Sequence, residues 1–284
     1  MITGQKVAPI CRVLGISRAC AYRDSVGRPE HYARAEDRVV AAQIRTIIRT
    51  RSSYGARRVR ALVNRAFGTG YNVKRIQRVM ALNGWTLPQR TRRRTGRAHT
   101  GVVQRPASNE RWCSDALEIA CWNGEYVQLS FALDCHDREC LAHVAAARTL
   151  RGADIQQLMR DAVLGRFETA APYPIQWLSD NGSIYTALDT VITAERLHLV
   201  PITTPAASPQ SNGMSEAFVN TLRRDYITGA DLSTAAAVLE QIPAWIADYN
   251  AVAPHSALGY QSPLQYRRSR DTLATVTPAT EAMD

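Results

Sequence analysis

The chain of 284 residues has no apolar run near the roughly 18 residues a bilayer crossing needs, which excludes a membrane-spanning protein. Met1 to Ala8 lack a signal-peptide core, which argues against secretion. No CxxC pair occurs, and no histidine pair stands at zinc-finger spacing from paired cysteines. Cys11, Cys20, Cys113, Cys121, Cys135 and Cys140 therefore read as reduced, mostly buried side chains of a cytosolic protein. His136 and Cys140 could share a metal only if their segment were not a strand. There is no glycine-rich phosphate loop, no internal repeat and no sustained heptad pattern. Acidic residues are scarce in one half of the chain. Residues 1–105 hold 4 of the 25 Asp/Glu and 23 of the 35 Lys/Arg, a balance of +19. Residues 106–284 hold the other 21 acidic and 12 basic residues, a balance of −9, so the net +10 hides a polarised chain. Such a division suggests polyanion binding beside a second activity.

The basic half is helical in pattern. In Val7–Tyr22, Ile10, Val13 and Leu14 recur at helical spacing, Gly15 interrupts, and Ser17 can cap a second helix through Ala21. A second unit is better marked. Helices are predicted over Val39–Arg49 and Ala56–Arg65, and after a Gly68–Gly70 turn Asn72 caps VKRIQRVMALNGW. There Val73, Ile76, Val79, Met80 and Leu82 form the expected buried stripe, with Lys74, Arg75, Gln77 and Arg78 facing outward. A basic, polar-faced second helix suits a DNA groove, and Arg57 and Arg58 on the preceding helix join the candidate DNA contacts. The arginine-rich stretch from Pro88 cannot form a core, and Arg92, Arg93 and Arg94 in it suit phosphate tracking.

From about Asn109 the pattern turns to strands: Arg111–Ala120, Glu125–Asp134 and Glu139–Ala147, with turns at 122–124 and 135–138. A helix over Ala153–Phe167, a buried strand Pro174–Ser179, a helix Ile184–Leu197 and a strand Leu199–Ile202 follow. Helices Met214–Ile227 and Ser233–Asn250 come after a Pro/Ser loop. This order implies a mixed α/β sheet with helices on its faces. The expected division is a helix-turn-helix-like segment 1–28, a helix-turn-helix DNA-binding domain 29–87, an Arg-rich linker 88–108, a core with C-terminal helices 109–270, and a polar tail 271–284.

Three carboxylates stand where this topology could bring them together. Asp115 lies in the first strand, Asp180 ends a short strand before Asn-Gly, and Glu216 begins a helix. Carboxyl ends of strands are where α/β sheets gather ligands. Hard divalent cations take oxygen ligands, and two such ions can serve an in-line displacement at phosphorus. Singly, each residue reads as a strand-edge, turn or helix-dipole acid. The spacing adds what the single residues lack: 64 residues separate the two aspartates, and 35 separate Asp180 from Glu216.

With SDNGS around Asp180 and SPQSNGMSE before Glu216, this D…D(35)E pattern resembles the retroviral-integrase-like DDE transposases. More narrowly it resembles the downstream-frame (OrfB) product of the IS-three family of insertion sequences. SYGARRVRALV…YNVKRIQRVMALNGW, RAHTG, RWCSDALEI, FALDCHDRE and YNAVAPHSALGYQSPLQY carry the resemblance over nearly the whole chain and point to the IS-two-like subgroup. It implies an RNase H-like α/β core behind an all-α DNA-binding region, with Asp115, Asp180 and Glu216 as catalytic acids holding two Mg²⁺ or Mn²⁺ ions. It also implies a basic DNA contact seven positions after the glutamate, which here is Arg223. The implied reaction is strand cleavage and transfer through a circular intermediate. Implied partners are the terminal inverted repeats, target DNA, an upstream-frame OrfA product or fusion, and a second copy in a dimer or larger assembly. Asp134, Asp137 and Glu139 read as structural acids, and His255 and Ser256 lack a placed acid for a triad. Two other functions fit less well. One is a DNA-binding partner inactive without the upstream segment, whose zipper is not encoded here. The other is an RNase H-type nuclease, against which the basic half argues.

Overall fold

The computed structural model describes residues 7–15, 17, 32–88, 105–203 and 213–276, with side chains to residue 270. Helix α1 (Val7–Leu14) buries Cys11 alone, and Ile10, Val13 and Leu14 are exposed, against the expected stripe. The second half of that first predicted unit, with Cys20, lies outside the described residues, as do Arg92, Arg93 and Arg94.

Helices α2 (Asp37–Ile48), α3 (Ala56–Phe67) and α4 (Val73–Leu82) pack around Val40, Ile44, Tyr54, Val59, Val63, Ile76, Val79 and Met80. Two local devices set their ends. Gly68, at φ 61°, supplies the left-handed residue that stops α3. The Asn72 side chain accepts a hydrogen bond from Arg75 N at 2.8 Å and starts α4 as predicted.

Two expectations for α4 fail. Leu82 is exposed, and Arg78 is buried. Arg78 Nη1 and Nη2 donate to Asp37 Oδ2 and Oδ1 at 2.7 and 2.8 Å, a bidentate pair linking α4 to the start of α2. Composition explains this. Residues 38–109 contain no Asp or Glu, so an arginine folded inward in this unit has only Glu36, Asp37 or a core carboxylate to neutralise it.

The second unit is built on a five-stranded sheet in the order β3-β2-β1-β4-β5. Strands β1 (Arg111–Ala120), β2 (Tyr126–Asp134) and β3 (Cys140–Ala146) are antiparallel neighbours, and β4 (Ile175–Ser179) and β5 (Leu199–Thr203) extend β1 in parallel. Alternation along β1 gives the sheet two apolar faces. Trp112 joins Trp177, Ile155, Leu158 and Met159 under α5 (Gly152–Phe167). Cys113, Leu117 and Ile119 join Phe218, Leu222, Ile242 and Trp245 under α8 (Gly213–Asp225) and α9 (Ala235–Ala251).

The predicted helix Ile184–Leu197 is two helices, α6 (Ser183–Thr186) and α7 (Leu188–Arg196). Ala187 between them is extended (ψ 138°), and Thr190 Oγ1 bridges the break by donating to Ile184 O at 3.0 Å. The last helix, α10 (Pro263–Val276), runs six residues into what the sequence suggested was a polar tail.

The two units are fastened by ion pairs. Arg51 holds Asp248 through both guanidinium nitrogens, one at 2.7 Å. Arg58 Nη1 lies 2.6 Å from Asp225 Oδ2, and Ser53 Oγ donates to Asp225 Oδ1 at 2.5 Å. The guanidinium of Arg58 also sits 3.8 Å from the centroid of the buried Tyr54 ring.

Candidate active site

Strand register places the two aspartates. Cys113 on β1 is level with Leu178 on β4, and the strands are parallel. Two residues further along each chain come Asp115, midway along β1, and Asp180, the first residue past the carboxyl end of β4, so the register brings the two to neighbouring positions. Both side chains of the Cys113/Leu178 level point into the apolar face under α8 and α9, so the period of two puts Asp115 and Asp180 toward that face too.

Glu216 reaches the same place from a helix. Its neighbours Met214 and Phe218 are buried, and the Phe218 ring lies 4.4 Å from that of Phe131. Phe131 is the residue of β2 directly opposite Asp115, so this ring pair sets the first turn of α8 beside the aspartates.

Each carboxylate has its own environment. Asp115 is half-buried, whereas Asp180 and Glu216 are exposed. Burial raises the Asp115 carboxyl above its ordinary range. A 2.8 Å bond from Ala116 N opposes this, and the charges of Asp180 and Glu216 add to it. All three negative charges thus act on one region. Among the described residues, however, no three His, Cys, Asp or Glu side chains are close enough together to hold one metal ion, so the three do not close onto a single point.

Asp180 Oδ1 accepts from Gly182 N at 3.0 Å, closing the Asp-Asn-Gly turn over the carboxylate. The glycine leaves room for the carboxylate in this position. Its φ is −60°, open to any residue, but a Cβ there would lie 2.9 Å from Asp180 Oδ1.

Beneath the aspartates lies a hydroxyl chain that sequence reasoning missed. Tyr185 Oη sits 3.1 Å from Ser114 Oγ and 3.0 Å from Ser130 Oγ, and Ser130 Oγ donates to the Asp115 carbonyl at 2.9 Å. With Ser130 donating upward, the bonds run from Ser114 to Tyr185 to Ser130 to the Asp115 backbone. Burial pushes the Tyr185 phenol above its ordinary range and the two serine bonds oppose it, so it stays neutral. The available signal was weak: a tyrosine five residues after Asp180, with two strand serines facing it.

The predicted structural acids form a separate buried cluster. Asp137 and Glu139 each receive Arg166 at 2.9 Å, Asp134 lies 3.5 Å from the same guanidinium, and Arg267 adds a 3.0 Å contact to Glu139. Their charge is neutralised internally. His136 sits in the turn before β3 with Nδ1 at 2.8 Å from Arg105 O, not paired with Cys140. His255 carries no acid for a triad. Its Nε2 is buried without a partner, and burial, then the charges of Arg138 and Arg58, lower it to about 4.

The candidate DNA contacts divide. Arg57, Lys74, Gln77 and Arg223 are exposed. Arg223 is seven residues from Glu216 on α8, nearly two turns, so both face one side. Arg75 is half-buried, 4.9 Å from the Tyr71 ring centroid and 3.6 Å from Glu36. Arg58 is engaged with Asp225, and Arg78 is buried on Asp37, which removes Arg78 from the outward face.

The chain matches the "Integrase core domain" family models over residues 105–209 and 199–263, and an "HTH-like domain" model over residues 34–94. It is 37% identical over 278 residues to transposase InsD of insertion element IS2 from Escherichia coli, covering 94% of this chain and 92% of that one. It is 51% identical over 193 residues to an uncharacterized protein of insertion element IS136 from Agrobacterium fabrum, covering 67% of this chain and 99% of that one. A chain of the simian T-cell lymphotropic virus intasome complex is similar at a TM-score of 0.48 and 13% identity, over 86% of this chain and 77% of that chain. That likeness is too loose to carry an argument about function. No helix among the described residues is long and apolar enough to cross a membrane. A helix-turn-helix-like unit ahead of an integrase core, matched end to end by the IS2 enzyme, places the chain in the IS-three family of insertion-sequence transposases, polynucleotidyl transferases acting in DNA transposition.

Proposed function

We propose that Asp115, Asp180 and Glu216 form the site at which this transposase cleaves DNA at insertion-sequence ends and joins the freed 3′-hydroxyl to a second phosphodiester. The observation that supports this most is the strand register, whose last pair, Cys113 with Leu178, stands two residues before each aspartate on the sheet face covered by α8. The donor set fits a hard divalent ion: three carboxylates and no sulfur or imidazole. Among the described residues, neither Asp180 nor Glu216 is in an ion pair, unlike the cluster around Arg166. Two Mg²⁺ or Mn²⁺ ions held there would stabilise the attacking and leaving oxygens of an in-line displacement.

The chain's own groups do the positioning. Gly182 N fixes one oxygen of Asp180, Ser130 fixes the backbone of Asp115, and the Phe218–Phe131 contact sets Glu216. Arg223, on the side of α8 that carries Glu216, grips a DNA phosphate near the reacting bond. Lys74, Gln77 and Arg57 contact end DNA from the helix-turn-helix unit, and Arg92, Arg93 and Arg94 follow the backbone between the units. Because the acids are not close enough to hold one ion among the described residues, Glu216 would have to move inward for the three to share it. Terminal inverted repeats and target DNA are the substrates, with an OrfA product or fusion and a second copy completing the assembly.

Asp180→Asn keeps the size and the Gly182 bond but removes the charge. Strand transfer on end DNA with Mg²⁺ is expected to fall by more than about 100-fold, since even residues that only orient a metal ligand are worth 10–100-fold. Unaltered strand transfer would sink the assignment.

A further inference from the structure

The signature segment around PHSALGY, residues 254–260, has no part in the acidic site. It forms one wall of a cleft of about 640 Å³ between the helix-turn-helix unit and the core. The wall is a tight, fixed turn. His255 N bonds Gln261 O at 3.0 Å, Leu258 is buried as an anchor, and Gly259 at φ 64° takes a left-handed conformation. The opposite wall comes from α3 and α4, with Arg57, Arg58, Val73 and Gln77, and the floor from α8, with Ala217, Thr221 and Arg224.

The charge of this cleft is one-sided. Arg57, Arg58, Arg138 and Arg224 line it, and no Asp or Glu does. Asp225 serves both Arg58 and Arg224, at 2.6 and 2.7 Å, so one carboxylate answers two cations. Arg57 and Arg138 have no ion pair among the described residues. Arg138 is the more telling of the two. It is half-buried, its backbone is held at φ 62°, and its Nε is buried without a hydrogen-bond partner. A half-buried guanidinium with no carboxylate partner among the described residues is costly unless an anion meets its exposed edge. Left-handed backbone in a residue that is neither glycine nor asparagine is a further cost, met here at the residue that aims that cation.

Position completes the argument. Ala217 follows Glu216 directly in the chain, and Ala217, Thr221 and Arg224 recur along α8 at helical spacing. The cleft thus starts next to the acidic site and ends at Gln77 on the exposed side of α4. We propose that it is a binding site for the DNA phosphodiester backbone, carrying one strand from the helix-turn-helix unit to the three carboxylates. Arg138 and Arg57 hold successive phosphates, and the 254–260 turn keeps the strand from leaving sideways. This site rests on the transposase reading but not on the roles given to the acids.

The test is salt dependence of binding by the full chain. A short fluorescein-labelled duplex is titrated over a NaCl series by anisotropy, with no divalent metal present. Each phosphate contact removed lowers the slope of log affinity against log salt by about 0.9. Arg138→Gln and Arg57→Gln are each expected to weaken binding several-fold and lower the slope by about that amount, and the double variant by about twice it. Arg196→Gln, on exposed α7 beneath the other face of the sheet, should leave the slope unchanged. Thermal melting separates lost contacts from lost folding. If Arg138→Gln melts early, Thr221→Glu, which sets a negative charge on the core side of the cleft, decides in its place and is expected to weaken binding. Slopes equal to wild type in the folded variants overturn the proposal, as does a wild type that shows no salt-dependent binding. Activity of Asp180→Asn bears on the acidic site and leaves this result standing.

Discussion

The two halves of this transposase handle charge in opposite ways. In the core, surplus acid is split between two clusters. Asp134, Asp137 and Glu139 are buried around Arg166, with internal neutralisation. Asp180 and Glu216 are exposed, and burial first, with their field adding to it, raises the half-buried Asp115. The helix-turn-helix unit has the reverse problem. After Asp37 it has no acid until Glu110, so it exports its need for counter-charge. Arg78 turns in to Asp37, while Arg51 and Arg58 reach across to Asp248 and Asp225. The asymmetry of the sequence is therefore also what joins the units: core acids hold the basic unit in place, and the cations left over face the cleft and the exposed side of α4.

That comparison breaks most readily at Asp225. Its side chain is 1% exposed, and it answers Arg58, Arg224 and Ser53 together. Asp225→Ala should cost about 3 kcal/mol in urea unfolding, the lower end for stranding buried charge, because Arg58 and Arg224 are partly exposed. A loss under about 0.5 kcal/mol, ordinary for a surface substitution, would mean the fastening is incidental.

On the acidic side, Gly182→Ala forces a methyl to 2.9 Å from Asp180 Oδ1. Strand transfer should drop at least about tenfold, as small misplacements of reacting groups do, with an unchanged melting temperature. Full activity would show that the turn does not position the carboxylate. Tyr185→Phe removes the hydroxyl shared by Ser114 and Ser130, leaving their direct 3.5 Å contact, and should cost about 1 kcal/mol of stability, the worth of a buried hydrogen bond. Its effect on strand transfer should be smaller than that of Gly182→Ala, because it acts on backbone rather than on a carboxylate.

The same comparison extends to pH dependence. His255 is held neutral down to about 4, by burial first. The unfolded chain takes up that proton near pH 6.5, the folded chain only near 4, so stability falls as pH drops through this window. His255→Gln should flatten the fall. Below it, Asp225 takes over. Burial pushes its carboxyl up, but Arg224, Arg58 and Ser53 outweigh this and hold it below the ordinary range. Its contribution is present above about pH 4 and fades as pH falls through the depressed value. A wild-type stability flat between pH 6.5 and 4 would contradict the His255 assignment.

Much of this was legible in the sequence, for identifiable reasons. Strands β1, β2 and β4 and the cap at Asn72 were readable because alternation and capping are local rules. The three acids could be singled out as candidates because their spacing joins a strand, a strand end and a helix start. The direction of Arg78 was not, because a basic helical face looks alike in sequence whether it meets water or a single buried carboxylate. The division of α6 from α7 depended on a tertiary bond from Thr190. The cleft was invisible because Arg57, Arg138 and His255 are distant in the chain and meet only when the two units dock. The glycine of Asp-Asn-Gly marks a turn in the sequence, but that its missing Cβ leaves Asp180 Oδ1 in place was visible only in the structure.

The central claim is that Asp115, Asp180 and Glu216 hold the divalent ions that serve strand transfer. The most direct measurement is anomalous diffraction from crystals of the full chain soaked in Mn²⁺, with end DNA bound. The account predicts Mn²⁺ peaks touching carboxylate oxygens of all three residues, with Glu216 moved inward. Strand transfer in Mn²⁺ by crystals whose Mn²⁺ lies elsewhere would contradict it.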